Sequence, residues 1–139
     1  MKRGEIICAK THAELLNKVL GTNYKAWMKS SIKLPDGRLL WMIELGSSIS
    51  PAGWINKMTS ANSISEKHVG GNYAFSGHET YVGSRVNGIS WDPSDRAVFD
   101  ILKIGSVRKY VFRGVFRINT EKSSLYENVW DLILDEYNF

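Results

Sequence analysis

The chain has 139 residues, a formal net charge of +4 and a pI near 9.2, with 43% apolar and 23% charged residues; these proportions argue against a disordered, collagen-like or membrane-spanning chain. A single cysteine, Cys8, excludes an intramolecular disulfide and a multi-cysteine metal site, which makes a reducing cytoplasm the expected compartment. No apolar run approaches the ~20 residues of a membrane span, and Ile6 to Ala9 is too short for the core of a signal peptide, so a single domain over residues 1–139 is expected.

In chain order, Glu5 to Ala9 reads as a short buried strand or an extended lead-in. Thr11 with Glu14 forms a capping box, Leu15, Leu16, Val19 and Leu20 make an apolar stripe, and Gly21 sits where a left-handed cap belongs, which predicts a helix over 12–20. Ala26 to Leu34 and Arg38 to Leu45 read as two strands joined by the turn Pro35-Asp36-Gly37. The second is apolar on both faces, as in a central, doubly covered strand.

From Gly46 to Asp95 the periodicity fades. Ser50-Pro51 predicts a short helix through Met58, and Ser60 to Val69 reads as an edge strand. The Gly-punctuated, aromatic stretch that follows is long for a loop, and such stretches are usually functional. Ala97 to Ile104 is a further strand, followed by a turn at Gly105-Ser106.

Lys109 to Ile118 is the clearest strand. Tyr110, Phe112, Phe116 and Ile118 alternate with Lys109, Arg113 and Arg117, an aromatic face opposite a cationic one, and Gly114 in the apolar set leaves room for a bulge, a bend or a close approach. Ser124 with Glu127 makes a second capping box before Leu125, Val129, Trp130, Leu132 and Ile133, which predicts a helix over 125–136. The expected class is α+β, with a curved, mostly antiparallel sheet or a small pseudobarrel flanked by two or three helices.

Little in the sequence points to catalysis. His12, His68 and His78 have no zinc-ligand spacing, and neither a nucleophile elbow nor a phosphate loop occurs; no metal or cofactor is expected. His78, Glu79, Tyr81 and Arg85 lie close enough together to serve a small nuclease or nucleotide hydrolase by acid–base chemistry, with loop position as the only support. The basic and aromatic combination says more. Lys109, Arg113 and Arg117, with Lys103 and Arg108 beside them, suit phosphates, and rings such as Trp27, Trp54, Tyr73 or Trp91 suit base stacking. The runner-up reading gives the exposed rings and arginines to a protein–protein hot spot, as in an inhibitor or interaction module.

The run Tyr110-Val111-Phe112-Arg113-Gly114-Val115-Phe116-Arg117-Ile118 resembles the late strand of PUA-like pseudobarrels, the superfamily that includes SRA, EVE and ASCH domains. The resemblance implies binding of RNA, or of DNA carrying a modified base, with the extruded base held in an aromatic-lined concavity, and a role in microbial or viral defence or counter-defence. By residue type and position, Trp54, Tyr81 and Trp91 are the candidate walls, and Asn87 or Asp92 the partners of the base edge. Arg85, Lys109, Arg113 and Arg117 complete the candidate binding set.

Overall fold

The computed structural model describes residues 1–46, 49, 53–69, 92–124 and 127–139. Eight strands and one helix form among them: β1 (Ile6–Cys8), α1 (His12–Leu20), β2 (Ser31–Lys33), β3 (Leu39–Ile43), β4 (Trp54–Ser60), β5 (Ser63–His68), β6 (Arg96–Ile104), β7 (Val107–Ile118) and β8 (Glu127–Leu134). Among the described residues the protein is therefore mainly β, with one helix where two or three were expected. By contacts the chain divides into two units. One comprises Met1–Glu44, Arg96–Val115 and Ile133–Phe139, the other Leu45–Asp95 and Phe116–Leu132.

In the first unit the strands are hydrogen-bonded in the order β2-β3-β6-β7, with β1 also on β7. The β2–β3 hairpin and the β1–β7 pair are antiparallel, whereas β3 and β6 run parallel, with Leu39 opposite Arg96 and Ile43 opposite Asp100. The sheet is thus mixed and unclosed rather than a completed barrel. All five residues of β3 are buried, as a doubly covered strand requires.

Helix α1 forms where its local signals place it. The Thr11 hydroxyl accepts from the Glu14 amide at 3.1 Å, Gly21 takes φ 66°, and its amide closes onto the Asn17 carbonyl. Leu15 and Leu16 are fully buried against Leu40, Met42, Phe99, Phe112 and Tyr110; burying each such side chain contributes roughly 1.5–3 kcal/mol. The strand expected over Ala26 to Leu34 shrinks to three residues, because Thr22 to Tyr24 fold back onto α1. Asn17 accepts from the Thr22 hydroxyl and the Tyr24 amide, and donates to the Tyr24 carbonyl, each at 2.8 Å.

In the second unit β4 pairs with β5 and β5 with β8, both antiparallel. Two expected helices are strands here. Trp54 to Met58 belong to β4, where pairing with β5 outweighs the helix-start signal of Ser50-Pro51, which lies outside the described residues. The predicted helix over 125–136 is β8, whose inward positions Asn128 and Trp130 are both fully buried. Its supposed capping box is spent otherwise: the Ser124 amide donates to the Glu127 carbonyl at 2.7 Å, and the Glu127 carboxylate accepts from the Ser65 hydroxyl at 2.6 Å. Strand β5, expected at an edge, is interior, flanked by β4 and β8. Its Glu66 accepts from the Asn128 amide at 2.7 Å and the Trp130 indole at 3.3 Å, which satisfies buried donors.

Candidate nucleic-acid interface

On β7 the aromatic face is as expected, with Tyr110, Phe112 and Phe116 fully buried. The cationic face is not an open one. Arg113 donates through Nε at 3.3 Å and Nη2 at 2.8 Å to the Asp100 carboxylate, which is only 4% exposed. Arg117 grips Asp95 with two parallel bonds of 2.9 Å. Both arginines are therefore ion-paired within the protein, Arg113 to β6 and Arg117 to the residue just before it. Replacing Arg113 with Ala is expected to destabilise the fold by roughly 2 kcal/mol by uncovering a buried carboxylate, with little effect on nucleic-acid affinity; thermal melting and a binding titration of the same variant check both halves.

Lys109 is half-buried, opposite Cys8 in the β1–β7 ladder, and carries no ion pair. Lys103 is paired with Glu44 at 2.8 Å, and Arg108 lies over the Tyr110 ring. Trp54 opens β4 and meets the His68 ring edge-on at 4.7 Å. Asp92 accepts from the Ser94 amide at 3.1 Å in a local turn. His78, Glu79, Tyr81, Arg85, Asn87 and Trp91, like Tyr73, lie outside the described residues. Among the described residues no cluster of three metal-ligating side chains occurs, and no helix is long and apolar enough to cross a membrane.

Charge is distributed unevenly along the chain. The first unit carries thirteen Lys and Arg against seven Asp and Glu, a net of +6, and the second five against seven, a net of −2. Within the first unit Lys2, Lys10, Lys25, Lys29, Lys33 and Lys109 have no ion pair. Lys25, Lys29 and Lys33 are exposed and recur every fourth residue in a run that also holds Tyr24, Trp27 and a 93% exposed Met28. Reading Ala26 to Leu34 as a strand hid this group. The spacing of its lysines beside two aromatic residues was the available signal.

Lys33 also lines a concavity of about 480 Å³, together with Leu20, Thr22, Tyr24, Ile32, Leu34, Pro35, Asp36, Tyr137, Asn138 and Phe139. The Tyr137 hydroxyl donates to Asp36 at 2.6 Å, which, with the Arg38 amide and guanidinium, holds the carboxyl below the usual carboxylate range. The same contact adds to burial in pushing the Tyr137 phenol up to about 12.

On another part of this unit, His12 shares a 2.8 Å hydrogen bond with the Tyr110 hydroxyl. Burial, then Arg108 and Lys103, lower its pKa to about 4, so the imidazole is neutral near pH 7. The unfolded chain takes up this proton near pH 6.5 and the folded chain only near pH 4. Stability from this site is therefore complete above about pH 6.5 and falls as the pH drops toward 4. After allowance for solvent screening at a half-buried ring, the loss is roughly 2 kcal/mol. Denaturant titrations at pH 7 and pH 4.5 are expected to lose that difference in His12→Gln.

No family model matches the sequence, and no curated protein does either. The fold itself has a known counterpart. The structure is similar to part of the 5-hydroxymethylcytosine-specific restriction enzyme AbaSI, with a TM-score of 0.70 over 97% of this chain at 21% identity. The chain spans 40% of that enzyme's length. Likeness at this identity establishes a shared fold for the chain and leaves its chemistry to its own residues.

Proposed function

We propose that the chain is a nucleic-acid-binding domain that reads a modified or extruded base and serves microbial or viral defence or counter-defence. The reading rests on one observation above all: nearly the whole chain shares its fold with part of AbaSI, an enzyme named for its specificity toward 5-hydroxymethylcytosine. The proposal is of recognition, since the chain matches only 40% of that enzyme. The net charge of +6 on the first unit and its unpaired lysines support contact with a phosphate backbone.

The experiment is a fluorescence titration of duplexes that contain cytosine or 5-hydroxymethylcytosine, at 50 and 200 mM salt. Three lysine–phosphate contacts predict an affinity loss of about fortyfold across that range, from a slope of about −0.9 per contact. Tighter binding to the hydroxymethylated duplex is the expected sign of base reading. No binding at 50 mM salt, or an affinity indifferent to salt, overturns the proposal.

A further inference from the structure

The concavity beside Lys33 has a floor and walls fixed without any ligand. Tyr137 is tied to Asp36 through its hydroxyl, and its ring meets Phe139 edge-on at 4.6 Å. Phe139 in turn packs on Phe99 and Phe112, each at 5.6 Å, and so rests on the core of its unit. Tyr24, also in the lining, is held at its backbone by Asn17 and leans on Trp27 at 4.9 Å. Tyr24 is 37% exposed, so much of its ring surface is open to contact. A volume of about 480 Å³ is in the range of small-molecule sites.

The polar groups complement this apolar lining. An ionised carboxylate offers about four acceptor positions. Tyr137 and Arg38 occupy three of those on Asp36, which leaves Oδ1 able to accept one further N–H. Lys33 lines the same hollow and Lys25 follows Tyr24 in the chain, both exposed and without a carboxylate partner. A guest that satisfies all of these at once is flat and aromatic, carries an N–H donor on one edge and has an anionic group attached.

From this arrangement we infer that the concavity takes an unpaired nucleobase, with Tyr24 and Tyr137 against the ring, Asp36 accepting from the base edge, and the adjoining phosphate on Lys33 and Lys25. This deepens the nucleic-acid reading and rests on it where the base belongs to a strand. A free nucleotide carries the same chemistry, and the two sources are separable by experiment.

The test compares three ligands by fluorescence anisotropy or calorimetry: a short single-stranded oligonucleotide, the same strand with abasic residues, and free dCMP. Base stacking on aromatic rings is worth about 1–3 kcal/mol per base, so the strand with bases is expected to bind roughly 5- to 150-fold tighter than the abasic one. Tyr24→Ala is expected to remove that advantage with its melting temperature kept, and Asp36→Asn to reduce it, while affinity for the abasic strand stays unchanged in Tyr24→Ala. Equal affinity for base-containing and abasic strands, or an advantage that survives Tyr24→Ala, overturns the inference. If no strand binds at 50 mM salt, the functional reading fails, and dCMP then decides the pocket. Saturable binding lost in Tyr24→Ala upholds a free-nucleotide site, and no binding ends the inference.

Discussion

Replacing Gly114 with Val is expected to cost the protein roughly 3 kcal/mol, enough to lower the melting temperature by well over 10 °C or to prevent folding at 37 °C. Gly114 is buried in the middle of β7 with φ 106°, a conformation that L side chains rarely adopt. A non-glycine residue there carries about 1–3 kcal/mol of backbone strain, and a branched side chain adds overpacking of similar size between Phe112 and Phe116, both fully buried. Gly114→Ala should retain the strain with less of the crowding and fall between the two. Denaturant unfolding of the pair separates the contributions, and a Val variant as stable as the parent would show that the strand relaxes to an ordinary φ.

Changing Lys25, Lys29 and Lys33 together to Gln should weaken nucleic-acid binding by two to three orders of magnitude at 0.1 M salt and leave the fold intact. The estimate follows from counterion release, in which each lysine–phosphate contact contributes about 0.9 to the slope of log affinity against log salt. Loss of three contacts therefore removes about 2.7 from that slope, the quantity to be measured. The lysines are exposed and lack ion pairs, so their removal strips no carboxylate of its partner. Changing Arg117 to Gln is the contrasting control, because its guanidinium already serves Asp95. An unchanged slope in the triple variant would place the phosphate contacts elsewhere.

These contrasts explain which parts of the molecule were legible in the sequence. Helix α1 was, because its cap, stripe and terminating glycine are all written within eleven residues and need nothing from elsewhere. The turn at Pro35-Asp36-Gly37 and the inward rings of β7 were legible for the same reason: turn chemistry and a two-residue alternation are local. Strand β8 was not, since Ser124 and Glu127 give a good local helix signal that pairing with β5, some sixty residues earlier, overrides. The arginines of β7 misled differently. Their outward direction follows from the alternation, but their partners lie elsewhere, Asp100 on β6 and Asp95 just before it, and only the fold reveals those ion pairs. Lys25, Lys29 and Lys33 went unnoticed because strand propensity over Ala26 to Leu34 ignores Asn17, which bends the chain back onto the helix.

The parallel match of β3 with β6 carries a kinetic consequence. Residues 44–95 separate the two strands, so their pairing closes a long loop and belongs to the late, slow part of assembly, after the local hairpin and helix. The intervening segment carries β4 and β5, so the low cost of about 0.6 kcal/mol per doubling of loop length applies only to insertions outside those strands. Insertions there can therefore accumulate over evolutionary time while the register of Leu39 on Arg96 stays where it is.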